Sequence, residues 1–421
     1  MNFEKQELPK KGDTVIVGMS GGVDSTLVTY LLKEKGCRVI GVTMSIWDGK
    51  LPCGNTEGLQ GCYSPTELTN IAECTKFCKE NDIEYHVVDV KEIYQQKVIE
   101  YFKTEYRNGR TPNPCIRCNQ YVKFGALLSG VEKLGINYDY FCTGHYASIV
   151  RPILAQGESC AASGAVVSSD SVAQSESCAA LGAVGAGLNE APYMIATSSD
   201  ATKDQTYFLY RVSSETLKKV RFPLTNLKKS EVFELAKKAN LQAAERHESQ
   251  DFVDQRYIDM FFSDKPSVPG DIIDLDGKVL GRHKGIEHYT VGQRRGLGVA
   301  VSYPVYVHSI DAKTNTVVLA PNDALNANSL IADDFVWAIQ PSLYSPDGII
   351  SANVKIRLAS KPTKAQIEPY TPSADDTYQY VGQPYRITFE TTQRAIAPGQ
   401  SAVLYSDEGV ILGGGIISHA E

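Results

Sequence analysis

The chain lacks any apolar run close to the about 20 residues that a membrane-spanning helix needs. It begins MNFEKQELPKKGD, which is polar and charged, so the apolar region of a signal peptide is missing as well. Cysteine is absent after Cys178, which leaves more than half of the chain without one. A disulfide framework would not leave so much unlinked, and the cytosol keeps thiols reduced. We therefore expect a cytoplasmic protein without membrane contacts, whose cysteines serve chemistry, metal binding or packing.

The chain also lacks an excess of positive charge, because its net charge is -7 at pH 7. Nucleic-acid binding requires clustered Lys and Arg, so this overall balance argues mildly against it. Basic clusters do occur locally, for example between residues 218 and 229. A chain of 421 residues exceeds the size of one compact core, which predicts two or three domains.

Short apolar runs alternate with helical patterns in the first half of the chain. We predict buried strands at residues 14–19, 38–44, 84–90 and 138–144. Helices are predicted between them, at residues 25–35, 65–81, 90–106 and 120–134. This alternation predicts an α/β fold with a doubly wound parallel sheet, whose ligands bind at the carboxyl ends of the strands.

Residues 151–192 interrupt this alternation. The sequence AQGESCAASGAV, which begins at Ala155, recurs as AQSESCAALGAV from Ala173, within a tract of Ala, Ser and Gly. Such a tract buries little apolar surface, so we predict a low-complexity insertion. Its duplicated cysteines, Cys160 and Cys178, are then expected to have no function.

The second half of the chain changes character at about residue 263. A helical segment is predicted at 214–239, and short strands separated by Gly, Pro, Asn and Asp follow. We predict a catalytic nucleotide-binding domain at 1–212, a small central domain at 213–290 and a C-terminal β-barrel at 291–421.

The first predicted strand runs directly into the sequence GMSGGVDS at residues 18–25 and then into a helix. Glycines let the backbone approach an anion, and the N–H groups of a helix N-terminus donate to it. Ser20 and Ser25 add hydroxyl groups, and Asp24 is suited to Mg²⁺. The sequence is neither a Walker A loop nor a dinucleotide fingerprint. We predict that it binds the phosphates of ATP and is not merely a strand-to-helix turn.

The sequence GRTPNPCIRCN at residues 109–119 contains two prolines and two cysteines. The prolines predict a stiff loop, with a helix beginning near Gln120. A thiol just before a helix N-terminus is stabilised as thiolate, and Arg110 and Arg117 are close in sequence. Cys118 is therefore predicted to be a nucleophile with a lowered pKa. The spacing Cys115-x-x-Cys118 fits a redox pair, half of a zinc site or part of an iron–sulfur site.

These motifs resemble those of known families. SGGVDS is similar to the loop of the PP-loop ATP pyrophosphatases, with their adenine nucleotide alpha hydrolase-like fold, which adenylate a carbonyl oxygen. Four further segments, GRTPNPCIRCNQYVKFG, KDQTYFL, YTVGQRRGLG and PGQSAV, resemble the tRNA-specific 2-thiouridylases, the MnmA family. The resemblance covers most of the chain outside residues 151–192. Lysidine synthetases and amidotransferase-type synthetases share the first motif but not the others.

The resemblance implies a reaction on tRNA. In this family the wobble uridine of the tRNAs for Lys, Glu and Gln is adenylated at O2, and sulfur then attacks C2, so that AMP and pyrophosphate are released. The central domain would bind tRNA. The expected cofactors are ATP and Mg²⁺, and the expected sulfur source is a donor protein, a relay protein or free sulfide.

The resemblance also implies the residues of the site. The implied catalytic residues are Cys118, Cys115 and Asp24. ATP is expected at Gly18, Met19, Ser20, Gly21, Gly22, Val23, Asp24, Ser25, Met44 and Gly144. The target base is expected at Asn113, Pro114 and Cys115, and tRNA at Lys203, Asp204 and Gln205.

The chain departs from the family in its cysteines. Many members carry a second catalytic cysteine in a segment of the type S-Q-D-I-C-F, where this chain reads SQDFV at residues 249–253. Cys115 replaces the Asp of some relatives, and resemblance to members with cysteine there suggests an iron–sulfur cluster. Such a cluster needs several protein ligands, and we nominate Cys62 beside Cys115 and Cys118. The alternatives are a persulfide shared by Cys115 and Cys118, or an RNA-binding protein that has lost sulfur transfer.

Overall fold

The computed structural model describes residues 2–49, 61–153, 191–245, 252, 258–343, 345, 348–374, 376 and 378–421. Most of the predicted insertion, with Cys160 and Cys178, lies outside the described residues. The SQDFV segment also lies outside them, except for Phe252.

A five-stranded parallel sheet forms the centre of the N-terminal domain. Its strands are β2 (Thr14–Gly18), β3 (Arg38–Ser45), β4 (Glu84–Asp89), β5 (Tyr140–Cys142) and β8 (Val220–Arg221). They are arranged in the order β4-β3-β2-β5-β8, and every neighbouring pair is parallel. The four predicted strands are therefore confirmed. The order reverses between β2 and β5, which is the place where open α/β sheets bind their ligands.

Helices cover both faces of this sheet. They are α1 (Val23–Glu34), α2 (Thr66–Glu80), α3 (Lys91–Tyr94), α4 (Glu100–Arg107), α5 (Pro114–Arg117), α6 (Leu127–Lys133), α7 (Ser214–Leu217) and α8 (Lys229–Lys238), with the π-helices π1 (Gln95–Ile99) and π2 (Cys118–Ala126). Successive side chains of β2 enter different cores: Val15 and Val17 pack with α1 and α8, whereas Ile16 packs with π2 and α6. Because both faces are buried, the sheet is doubly wound, as predicted.

The continuous helical segment predicted at residues 214–239 is wrong. The segment contains α7, then β8 in the parallel sheet, then α8, which packs against α1. These elements belong to the sheet and the helical layer of the N-terminal domain, beyond the end predicted for it at residue 212. A two-residue strand is too short for any periodicity to reveal.

Three further groups of strands occur among the described residues. A three-stranded antiparallel sheet contains β1 (Phe3–Lys5), β6 (Ser148–Pro152) and β7 (Met194–Ala196). After α9 (Ile258–Phe261), a second sheet contains β9 (Gly270–Ile273), β10 (Val279–His283), β11 (Tyr306–Asp311) and β12 (Thr316–Ala320). This sheet includes strands on both sides of residue 290, where the sequence analysis placed a boundary.

The C-terminal strands close into a barrel, as predicted. They are β13 (Asn326–Trp337), β14 (Ile350–Lys355), β15 (Thr363–Pro369), β16 (Tyr385–Arg394), β17 (Ser401–Tyr405) and β18 (Ile411–Ala420), and β18 pairs with β13. Short 3₁₀ helices lie at Thr206–Phe208, Gln242–Glu245, Ile286–His288, Asn322–Leu325 and Pro341–Leu343. No helix in the described part of the chain has both the length and the apolar character needed to traverse a bilayer.

Candidate active site

The predicted phosphate loop connects β2 to α1. Gly22 is the N-cap residue of α1 and has an extended backbone, so the amides of the first helical turn face the loop. The Ser20 N–H donates to Ser25 Oγ at 3.2 Å, and the two hydroxyl oxygens are 3.4 Å apart. The loop therefore gathers backbone and hydroxyl donors at one helix N-terminus, which is an arrangement suited to phosphate.

The other predicted ATP residues lie at the same edge of the sheet. Met19 N–H donates to Val42 O at 2.8 Å, and Met44 follows on the same strand, half-buried against the core. Gly144 follows β5, and a Cβ on it would lie 2.8 Å from Asp24 Cβ and 3.0 Å from Ser25 N. Only glycine fits this close approach to the start of α1. The structure thus brings residues 18–25, Met44 and Gly144 together at the reversal of strand order.

The carboxylate of Asp24 is held by residues outside the loop. Lys229 Nζ donates to both of its oxygens, at 2.7 and 2.8 Å, and the Tyr146 hydroxyl donates to Oδ1 at 2.9 Å. Neither partner is predicted from the sequence. Lys229 stands in the noted basic cluster, but no local pattern connects it with a residue more than 200 positions earlier.

The helix that carries the cysteines begins earlier than predicted. Asn113 is the N-cap residue of α5, and its side chain accepts from the Ile116 N–H at 3.4 Å. Pro114 is the first helical residue and is buried, Cys115 lies in the first turn, and Cys118 begins π2. Cys118 therefore lies one turn inside the helix, and the predicted position before a helix beginning near Gln120 is wrong.

The predicted lowering of the Cys118 pKa is also wrong. Burial raises the pKa of this thiol to about 11; the nearby Lys123 ammonium opposes the shift, and Cys62 adds to it. The two arginines that were expected to stabilise the thiolate have other partners. Arg110 pairs with Glu105 at 2.8 Å, and Arg117 pairs with Asp334 at 3.5 Å.

Lys123 connects the thiol to the nucleotide side of the site. Its Nζ lies 3.4 Å from His145 Nε2, and His145 Nδ1 lies 2.7 Å from Thr143 Oγ1. Burial keeps the pKa of His145 well below its usual value, so the ring is neutral. Nε2 then accepts from Lys123, and Nδ1–H donates to Thr143. Because Gly144 touches the start of α1, the Gly144–His145 pair joins the phosphate loop to the thiol side.

The π-helix explains why the Lys123 charge lowers the pKa of Cys118. Its hydrogen bonds run from each N–H to the carbonyl five residues earlier, so the turn is wider than that of an α-helix. Residue 123 is therefore brought over residue 118 along the helix axis. A sequence pattern with the α-helical period does not predict this neighbour.

Cys62, Cys115 and Cys118 are grouped around one buried tyrosine. Burial raises the pKa of the Tyr94 hydroxyl well above its usual value, and the three thiols raise it further. However, among the described residues no three His, Cys, Asp or Glu side chains come together closely enough to hold a metal ion. The iron–sulfur site predicted at these three cysteines therefore gains no support from the described residues and stays a prediction. Cys74 and Cys78 are buried in the core.

The C-terminal barrel holds the loop that precedes the cysteines. The Thr111 N–H donates to Pro398 O at 2.7 Å, and Gln400 Nε2 donates to the carbonyls of Thr111 and Pro112 at 3.1 and 3.2 Å. Gly399 has φ +89°, and a Cβ on it would lie 2.9 Å from the Thr111 backbone. The PGQ sequence of the barrel thus sets the conformation of the thiol loop.

The segment 203–205 lies between the nucleotide side and the barrel. Gln205 Oε1 accepts from the Tyr146 N–H at 3.0 Å. Asp204 accepts from Thr206 Oγ1 at 2.8 Å and pairs with Lys355 at 3.6 Å, and its side chain is only 8% exposed. The Asp204 carboxylate is therefore engaged inside the protein, whereas Lys203 is partly exposed.

Known families match nearly the whole chain. Residues 13–254 match the tRNA methyl transferase HUP domain, residues 257–321 the tRNA methyl transferase PRC-barrel domain, and residues 327–417 the aminomethyltransferase beta-barrel domain. The tRNA-specific 2-thiouridylase MnmA of Endomicrobium trichonymphae is 38% identical over 405 residues, which cover 96% of this chain and 98% of that protein. The protein of the same name from Acetivibrio thermocellus is 37% identical over 409 residues, with the same coverage.

Proposed function

The chain belongs to the family of tRNA-specific 2-thiouridylases, and on this premise we propose that it converts the wobble uridine of tRNA to 2-thiouridine with ATP. One observation supports the proposal above all. The phosphate loop and the Cys118 thiol are joined through two consecutive residues, Gly144 against α1 and His145 against Lys123. Adenylation and sulfur transfer require a nucleotide and a thiol at the same base.

In the first step, the phosphate loop places ATP for attack by the base. Uridine O2 attacks the α-phosphorus, the bond to pyrophosphate breaks, and the N3 proton of the base is lost. The amides and hydroxyls at residues 20–25 hold the phosphates, and Met44 lies beside the adenine. Asp24 would hold Mg²⁺, which would supply positive charge that neutralises the substrate phosphates.

In the second step, Cys118 carries the sulfur. A donor or relay protein passes sulfane sulfur to Cys118 as a persulfide, whose terminal sulfur attacks C2 and displaces AMP. The Cys115 thiol then attacks Cys118 Sγ, and the broken S–S bond leaves its electron pair on the sulfur at C2. The products are 2-thiouridine and a Cys115–Cys118 disulfide, which an external dithiol reduces. Residues three positions apart across a helical turn face each other, so this pair replaces the missing downstream cysteine.

The substrate is the wobble position of the tRNAs for Lys, Glu and Gln, and the reaction takes place in the cytoplasm, where tRNA and ATP are present. The base leaves its stack to reach the thiol, as bases do in enzymes that modify them. Asn113, Pro114 and Cys115 line the base, while Lys203 contacts the anticodon arm from the exposed side of its segment.

The test uses purified full-length protein, unmodified tRNA, ATP, a persulfide donor and a dithiol. We expect AMP and pyrophosphate, together with 2-thiouridine at the wobble position by mass spectrometry. A tRNA with cytidine at that position serves as the control. Binding of tRNA without formation of AMP from ATP would instead identify an RNA-binding protein.

The role of Cys115 is tested with Cys115→Ser. Assayed without the dithiol, this variant should form AMP and one equivalent of product that stays linked to Cys118, because no thiol cleaves the mixed disulfide, whereas the unaltered protein should release one equivalent of thiolated tRNA. Repeated turnover by the variant, or loss of adenylation, would contradict this assignment.

A further inference from the structure

Lys229 reaches the phosphate loop from a distant part of the chain. Its backbone N–H donates to Asp200 Oδ2 at 2.8 Å, which fixes the start of α8. Its Nζ lies 2.7 and 2.8 Å from the two carboxylate oxygens of Asp24, and its side chain is only 10% exposed. The ammonium group is therefore held in a defined place beside the first turn of α1.

The Lys229 side chain also lies against two aromatic rings. Nζ lies 4.9 Å from the centre of the Phe233 ring and 5.6 Å from that of the Tyr146 ring, distances at which aromatic faces attract cations. A buried ion pair seldom stabilises a fold more than well-packed apolar residues do. A contribution to stability therefore does not explain why this ion pair is present. Its position at the nucleotide site favours a role in binding the nucleotide.

The phosphate loop has no basic residue of its own. Residues 18–25 contain no Lys or Arg, and they contain one acidic residue, Asp24. The helix N-terminus supplies only about half an elementary charge, whereas the triphosphate of ATP carries several negative charges. Asp24 adds a negative charge to the loop, so a cation from elsewhere in the chain strengthens the attraction for phosphate, and the Lys229 ammonium lies beside Asp24.

We propose that Lys229 binds the pyrophosphate portion of ATP and stabilises it as the leaving group. This proposal rests on the proposed function and adds a residue to its first step. When O2 attacks the α-phosphorus, the electron pair of the broken bond goes to the pyrophosphate oxygen. The ammonium group of Lys229 donates to the phosphoryl oxygens in competition with Asp24 and offsets this charge.

The two products of ATP cleavage test the proposal separately. Inorganic pyrophosphate and AMP are titrated by calorimetry into the full-length protein and its Lys229→Met and Lys229→Arg variants. We expect Lys229→Met to weaken pyrophosphate binding about 10- to 100-fold, the range for a lost charge-assisted hydrogen bond, and to change AMP binding less than about 2-fold. Lys229→Arg should recover part of the loss. Lys228→Met removes the same charge from the exposed neighbouring residue and should change neither affinity.

A double variant separates phosphate binding from a merely structural pair. If Lys229 only neutralised Asp24, then Asp24→Asn combined with Lys229→Met would restore pyrophosphate affinity, and the proposal would be overturned. We expect the double variant to remain weak. Equal loss of AMP and pyrophosphate affinity, no loss of either, or no pyrophosphate binding by the unaltered protein would also overturn the proposal. These measurements need no tRNA, so failure of the unaltered protein to thiolate tRNA would refute the proposed function alone.

Discussion

The Cys118 thiol should react slowly with alkylating reagents in the absence of substrates. With its pKa raised by burial to about 11, about one molecule in 1000 carries the thiolate at pH 8. An ordinary cysteine, with a pKa near 8.5, is about one quarter ionised at that pH. Because the thiolate is the reactive form, we expect Cys118 to be alkylated about 200-fold more slowly than an ordinary exposed cysteine.

Iodoacetamide labelling followed by peptide mass spectrometry measures this rate for Cys118 apart from Cys62 and Cys115. The rate should rise about tenfold per pH unit up to about pH 10, because the thiolate fraction does so below the pKa. Lys123→Met should slow labelling at each pH, since the Lys123 charge lowers the Cys118 pKa. Lys133→Met, at an exposed lysine of α6, is the matched control and should leave the rate unchanged.

A rate that levels off by pH 9 would refute the conclusion that burial dominates this thiol. Labelling that Lys123→Met leaves unchanged or accelerates would refute the role given to the π-helix. The first result would return the thiol to the low pKa expected from the sequence.

Two further predictions concern the contacts between the barrel and the N-terminal domain. Gly399→Ala would place a Cβ 2.9 Å from the Thr111 backbone at φ +89°, so we expect a loss of about 1–3 kcal/mol in stability by calorimetry. Thiolation should fall while pyrophosphate binding persists, and unchanged thiolation would contradict the role of this contact. The Arg211 side chain is 1% exposed and pairs with Asp334 at 2.9 Å, and Arg211→Met removes this pair. Because Arg117 still pairs with Asp334 at 3.5 Å, we expect the free energy of unfolding in urea to fall by about 1–3 kcal/mol, and an unchanged free energy would contradict a stabilising role of the Arg211–Asp334 pair.

Most of the fold was predictable because its signals are local. The four buried strands and the Gly-rich turn at residues 18–25 lie in continuous sequence, where apolar runs and glycines determine the conformation. The start of α5 was predictable as well, although it was missed. Asn113 followed by Pro114 is the favoured N-cap and first-residue combination of a helix, whereas the sequence analysis took the prolines as helix breakers.

The remaining features of the site depend on tertiary structure. The pKa of Cys118 is set by burial, which a motif does not report, and the proximity of Lys123 depends on a π-helix. The contact of Lys229 with Asp24 joins elements 205 positions apart. Long-range pairings of this kind leave no periodic trace in a single sequence, so they become visible only when the chain is folded.

The hydrogen bond from Gln400 to Thr111 has a consequence for folding during synthesis. The two residues are 289 positions apart, so the ribosome completes the nucleotide-binding sheet long before it synthesises the residue that fixes the cysteine loop. Domains generally fold in the order of their synthesis. We therefore expect the nucleotide-binding sheet to fold before the cysteine loop reaches its final conformation, so that sulfur transfer requires the completed barrel.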